Sequence, residues 1–224
     1  STAWGDIGDP VLTFEASNAL GSGTFTVSPD DGAWDGNSWF WMALGPIEIY
    51  TDTGDLIATF TQGSAFIDED PLIGMGFAVL NGDLDATISI SSSNITFDTI
   101  FGAQGRASAG MTMTESNGDT ATLIGLEAGG TMFSADYNGT TPFADLLAGP
   151  FSAGAFSTTD ATDEYPDGGA FAAMGDVSDI SVDWSFELSA NDQASGTSVF
   201  VVIPTPASLA LIAVGGLFIG RRRR

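Results

Sequence analysis

The chain has no cysteine and no histidine, and only five of its 224 residues are basic, none of them lysine. Without cysteine there is no disulfide framework and no thiolate nucleophile. Without histidine there is no Ser-His-Asp triad and no imidazole acid–base group, and with cysteine also missing there is no ordinary zinc site. Without lysine there is no Schiff-base chemistry. Against 29 Asp and Glu stand five Arg, for a formal net charge of −24, and four of those are the terminal run Arg221, Arg222, Arg223 and Arg224. Residues 1–220 keep Arg106 as their single cation. Such a body repels nucleic acid and anionic lipid, which excludes a DNA- or RNA-binding role. It suits cations, Ca²⁺ above all, neutral polysaccharide, or other copies of itself once salt screens the charge.

What is present reads as strand and turn. Hydrophobic residues make up 43% of the chain, enough for a sizeable core, and 29 glycines punctuate it. Runs rich in β-branched and aromatic residues at 11–15, 23–27, 38–44, 46–50, 56–61 and 64–68 are bounded by Gly, Pro, Asn and Asp. The apolar run 72–80 suits a central strand buried on both faces. Asn81-Gly82 and Asn117-Gly118 are hairpin signals, because both residue types tolerate positive φ. In 105–114, Ala107, Ala109, Met111 and Met113 share one face and Arg106 lies on the other. Residues 180–188 alternate apolar and polar without a break, the clearest strand in the chain. One segment departs from this rhythm: Thr141, Pro142, Gly149 and Pro150 sit where a short helix would begin and end. Residues 158–169 read as an acidic loop. Many short strands with Gly-rich turns predict an all-β fold, a β-sandwich or jelly-roll-like body over residues 1–203, without an internal boundary.

Residues 204–224 differ from everything before them. Pro204, Thr205 and Pro206 precede an apolar run from Ala207 to Gly220, and the four arginines close it. Thr205 suits a helix N-cap and Pro206 a first turn, so the run predicts a single hydrophobic helix, about 21 Å long at ~1.5 Å per residue. That is short of a bilayer span, although arginine snorkelling extends its reach. Proline-x-proline, a short apolar helix and an arginine cluster together resemble the PEP-CTERM sorting tail of bacterial exosortase substrates, with Thr205 standing at that family's central Glu. The resemblance covers the tail alone. It implies export, membrane anchoring through the tail, and delivery to the cell surface or extracellular matrix. Ser1, preceded by no charged or apolar leader, fits a mature N-terminus left by a removed signal peptide. The same run also suits a helix packed on the body or on a neighbouring copy, where Gly216 and Gly220 form a Gly-x-x-x-Gly pair that permits close approach.

Chemistry has few places to reside. Acidic clusters around glycines offer hard oxygen ligands for Ca²⁺, the one cofactor the composition suits: Asp30, Asp31 and Asp35; Asp68 and Asp70; Asp160, Asp163 and Asp167. None matches an EF-hand loop. Trp34, Trp39, Trp41, Tyr50 and Tyr137 are candidates for stacking on sugar rings, with core packing the alternative for Trp39 and Trp41, which share a strand face. Paired carboxylates for glycoside hydrolysis are not singled out among so many acids. The expected function is therefore a non-enzymatic, exported structural protein. It would assemble with copies of itself into a filament or layer, with the apolar helix as sorting, anchoring or inter-subunit element. A surface-anchored carbohydrate-binding module is the alternative.

Overall fold

The computed structural model describes residues 7–68 and 70–205. Among them the chain is strand and turn, with only single 3-10 turns besides. The strands are β1 (Leu12–Asn18), β2 (Gly21–Val27), β3 (Ala33–Asp35), β4 (Ser38–Met42), β5 (Ile47–Tyr50), β6 (Leu56–Asp68), β7 (Leu72–Asn81), β8 (Ala86–Ser92), β9 (Ile95–Thr114), β10 (Ala121–Gly125), β11 (Phe133–Tyr137), β12 (Thr141–Leu146), β13 (Phe151–Ala153), β14 (Thr158–Tyr165), β15 (Ala172–Leu188) and β16 (Gln193–Ile203). All-β is thus the class. The C-terminal helix expected over 207–220 lies outside the described residues, as do Pro206, Gly216, Gly220 and Arg221 to Arg224.

Every pairing is antiparallel, and one path of hydrogen-bonded neighbours runs β2-β1-β8-β15-β9-β16-β7-β6-β4-β3. The sheet curls because β9 and β15 are long and change partners along their length. Their first halves pair with each other through three register shifts, from Ala172 opposite Gly105 to Ile180 opposite Ile95. Beyond that join β15 pairs with β8, β10 and β11, while β9 pairs with β16 and β14. Bulges add twist and bend a strand, so two strands carry the chain from one face of the core to the other. Rings meet across that core. Phe14 of β1 lies 5.0 Å from Phe60 of β6 and 5.6 Å from Trp41 of β4. Phe77 of β7 lies 5.2 Å from Trp184 and 5.9 Å from Phe186 of β15.

The period-two segments behave as their sequence dictates. Ala107, Ala109, Met111 and Met113 are buried, as are Ile180, Val182, Trp184, Phe186 and Leu188. Trp39 and Trp41 are core residues, and the Trp39 Nε1–H donates to the Pro29 carbonyl at 3.0 Å. Strand β7 is central but not buried on both faces, since Leu80 is exposed and Leu72, Gly74 and Gly76 are half-exposed.

Four expectations are corrected. Asn81-Gly82 does not make a hairpin: β7 and β8 do not pair, and the buried Asn81 side-chain amide instead donates to the carbonyls of Leu84, Leu188 and Ser189. Asn117-Gly118 likewise joins strands that do not pair. An Asn-Gly hairpin does form at Asn138-Gly139, both at positive φ, between β11 and β12. The expected helix over 141–150 is strand β12. Its proline is accommodated because Pro142 sits at the bulge of an edge strand, where no ladder N–H is required. The acidic loop over 158–169 is largely strand β14, an edge strand paired only with β9. Exposed carboxylates there discourage edge-to-edge pairing with another chain.

Candidate functional site

The outer face of β14, β9, β16, β7 and β6 carries residues aligned in strand register. One row reads Thr162, Gly110, Thr197, Gly76, Ser64, and ends on Met42 of β4. The next row reads Asp160, Thr112, Ser195, Ala78, Gln62. On the other side lie Glu164, Ser108, Val199, Gly74, Phe66, Phe40. Side chains i and i+2 share a strand face, so these rows stack into one surface. Its middle is low because the central positions are glycines and small hydroxyl residues. Two adjoining depressions result, about 900 Å³ and about 550 Å³, which share Gly110, Thr162 and Thr197. A Cβ built on Gly110 would meet the Thr162 methyl at 3.5 Å, the Thr197 hydroxyl at 3.7 Å and the Ala161 carbonyl at 3.8 Å, all ordinary contacts, so the floor there is open.

The two flanks differ. Along β14 run Asp160, Asp163 and Glu164, with Asp167 just beyond. Arg106 forms an ion pair with Glu164. The Arg106 guanidinium, with the Gly168 N–H, holds the Glu164 carboxyl below its ordinary range. Along β4 and β6 lie Met42 and the Phe40–Phe66 pair, ring centroids 4.9 Å apart, with Met42 68% and Phe40 43% exposed. The groove thus has a hydroxyl-lined floor, an acidic wall and an apolar, aromatic shelf.

Two carboxylate groupings lie elsewhere. On the outer face of the opposite half, Asp183 and Asp145 stand in register on either side of Ser134, with Asp136 two positions along β11. Burial pushes Asp183 up to about 7, with Glu127 and Asp136 adding repulsion. Burial and the Asp145 charge raise Glu127 and Asp136 as well. Neither depression includes these residues. The second grouping is Glu115, Asp119 and Asp192, which present one oxygen each within 4.8 Å of one another.

The sequence-selected acids are scattered. Asp31 accepts the Ser28 N–H at 2.7 Å and its hydroxyl at 2.9 Å, which lowers its carboxyl, and Asp30 is exposed in the same turn. Asp35 ends the short β3. Asp68 accepts the Ser38 hydroxyl and the Asp70 N–H. Asp163 accepts the Leu147 and Glu164 N–H groups, while Asp160 and Asp167 border the groove. Among the described residues, the three carboxylates that converge are none of these. Glu115 and Asp192 are far apart in sequence and are brought together because Gln193 pairs with Thr114. Of the aromatics considered for stacking, Trp34 and Tyr50 are exposed, but neither lines the groove. The phenylalanines of the shelf, Phe40 and Phe66, flank the two depressions in strand register and do not line them either. Pro204 is exposed just past β16, and the Thr205 hydroxyl donates to the Gly102 carbonyl.

No family model and no curated protein matches the chain. Among solved structures, the chain is similar to TmCBM61 in complex with β-1,4-galactotriose, at 12% identity over 59% of this chain and 71% of that one, with a TM-score of 0.29. It is also similar to the CBM22-1 xylan-binding domain of Paenibacillus barcinonensis Xyn10C, at 7% identity over 75% and 87%, TM-score 0.28. A third similarity is to the adhesin domain of Epf from Streptococcus pyogenes, at 8% identity over 90% and 62%, TM-score 0.30. At these scores the likenesses carry no argument by themselves, and the reading below rests on the groove.

Proposed function

We propose that the body is a non-catalytic carbohydrate-binding module that lays an extended, uncharged glycan along the groove. The observation that carries this is the in-register row from Thr162 through Gly110, Thr197 and Gly76 to Ser64, an open floor lined with hydroxyls and flanked by an apolar shelf. Sugar rings present hydroxyls at their edges and C–H groups on their faces. The threonines and serines suit the edges, and Met42, Phe40 and Phe66 suit the faces. The acidic wall, whose one nearby cation is tied to Glu164, disfavours a polyanion. Export and surface delivery through the tail complete the proposal. The filament expectation rests on the apolar run, which lies outside the described residues, so the groove takes precedence.

The test is isothermal titration with neutral oligosaccharides such as β-1,4-galactan, xylan and mixed-linkage glucan fragments. Gly110→Leu fills the floor without a backbone clash. It is expected to weaken binding at least about ten-fold and to leave Tm within about 2 °C. Added salt is expected to change affinity little. If no neutral glycan binds, or if Gly110→Leu binds as well as the parent chain, the reading fails.

A further inference from the structure

Glu115 follows β9, Asp119 lies in the loop beyond it, and Asp192 immediately precedes β16. Glu115 is 2% exposed and Asp192 0%, while Asp119 is exposed. Glu115 is fixed by backbone. Its Oε1 accepts N–H groups from Asn117, Gly118 and Asp119, and its Oε2 accepts that of Phe156. Oε2 keeps one lone pair open. In Asp192, Oδ2 accepts the Ser189 hydroxyl at 2.5 Å, whereas Oδ1 is buried with no partner at hydrogen-bond geometry among the described residues, the Ser116 N–H approaching the carboxyl only loosely. A buried carboxylate oxygen left unsatisfied is costly. Nothing in the described chain offsets the local charge, because its only cation, Arg106, is committed to Glu164.

The geometry points to a calcium site formed by Glu115, Asp119 and Asp192. The donors are carboxylate oxygens without nitrogen or sulfur, which disfavours zinc. Oxygens that all lie within 4.8 Å of one another fit within a Ca²⁺ coordination sphere, about 4.6–5.2 Å across, and Mg²⁺, which demands near-ideal octahedral geometry and gives up its waters reluctantly, is the poorer match for loop carboxylates. Water completes the six to eight ligands such an ion takes. The bound ion neutralises the buried Asp192 and ties the 115–119 loop to the start of β16. Thr112 and Ser195, which belong to the groove floor, lie close by on the same two strands. The site is separate from the groove, and its test does not depend on any glycan.

The experiment is thermal unfolding of the chelator-stripped full chain in EDTA, in millimolar Ca²⁺ and in millimolar Mg²⁺, at physiological salt, with Ca²⁺ affinity from calorimetry. Ca²⁺ is expected to raise Tm by several degrees and Mg²⁺ by much less. Asp119→Ala removes an exposed ligand without touching the core and keeps the backbone N–H that Glu115 accepts. It is expected to abolish most of the rise and to weaken Ca²⁺ binding at least about ten-fold. Asp35→Asn, exposed at the end of β3 and in register with the Leu72 end of β7 rather than the Leu80 end that meets Gln193, is the control and is expected to keep the full response. Equal Tm in EDTA and Ca²⁺ would overturn the site. So would a rise that Asp119→Ala retains, or one that Asp35→Asn loses equally, since either would mark diffuse binding to an acidic surface.

Discussion

Replacing Trp184 by alanine is expected to cost about 3–5 kcal/mol, the range for deleting a buried tryptophan. Trp184 is 0% exposed, with its ring 5.2 Å from that of Phe77 and 5.2 Å from that of Phe133. Its Nε1–H donates to the Ser198 hydroxyl of β16 at 3.1 Å, so one side chain joins the two halves of the curled sheet by packing and by a hydrogen bond. Gly196 marks how tight the fit is: a Cβ there would come within 3.2 Å of the Trp184 ring and closer still to Phe77. Truncation leaves a cavity between the layers and removes the donor from a serine that is itself buried. Urea denaturation checks this through a lower midpoint at constant m-value. Trp184→Phe keeps most of the volume and is expected to cost less, mainly the unsatisfied Ser198. A loss below about 1 kcal/mol for alanine would mean that the site collapses around the gap.

The residue before it in β15 is expected to give an effect of opposite sign. Asp183 lies on the outer face, where burial pushes its carboxyl up to about 7 and Glu127 and Asp136 add repulsion. The folded chain therefore keeps a proton that the unfolded chain releases near 3.8. Stability from this group is complete below the unfolded value and falls as pH rises through the window from 3.8 to about 7. At roughly 1.36 kcal/mol per pKa unit the penalty above that window is a few kcal/mol at most. Asp183→Asn removes the charge, so it is expected to stabilise the chain clearly at pH 8 and hardly at all at pH 4. Glu127 and Asp136, raised by burial and neighbouring charge, act in the same direction. Glu115, Glu164 and Asp31 are lowered and act in the other, losing their contribution only as pH falls below their unfolded values of 4.5, 4.5 and 3.8. Chemical denaturation of both chains at the two pH values decides the matter. An equal gain at each pH would assign the effect to packing rather than to charge.

These two neighbours also show what was legible in the sequence. Strict alternation over 180–188 placed Trp184 inside and Asp183 outside, because period two is a local property of the pleat. Strand partnership is not local. Asn81-Gly82 and Asn117-Gly118 carry hairpin chemistry, yet one asparagine staples three carbonyls and the other loop wraps its N–H groups around Glu115. The proline and glycine pairs that bracket 141–150 are shared by helix ends and by turns, and a bulge took Pro142. The acids of β14 hid a strand because carboxylates are depleted in strands except on guarded edges. The groove was invisible for a related reason. Its floor is glycine, serine and threonine, residues with no signature of their own until five strands set them side by side.

The position of β16 has a mechanical consequence. The strand is flanked along its length, by β9 from Gln193 to Ile203 and by β7 from Gln193 to Val201. A pull applied beyond Ile203, as from any anchor attached there, runs parallel to both ladders. It loads many hydrogen bonds at once in shear, where an edge strand would be unzipped one pair at a time. A body holding a polymer in its groove and tethered through this strand would carry tension through the middle of its sheet, the route along which it yields last.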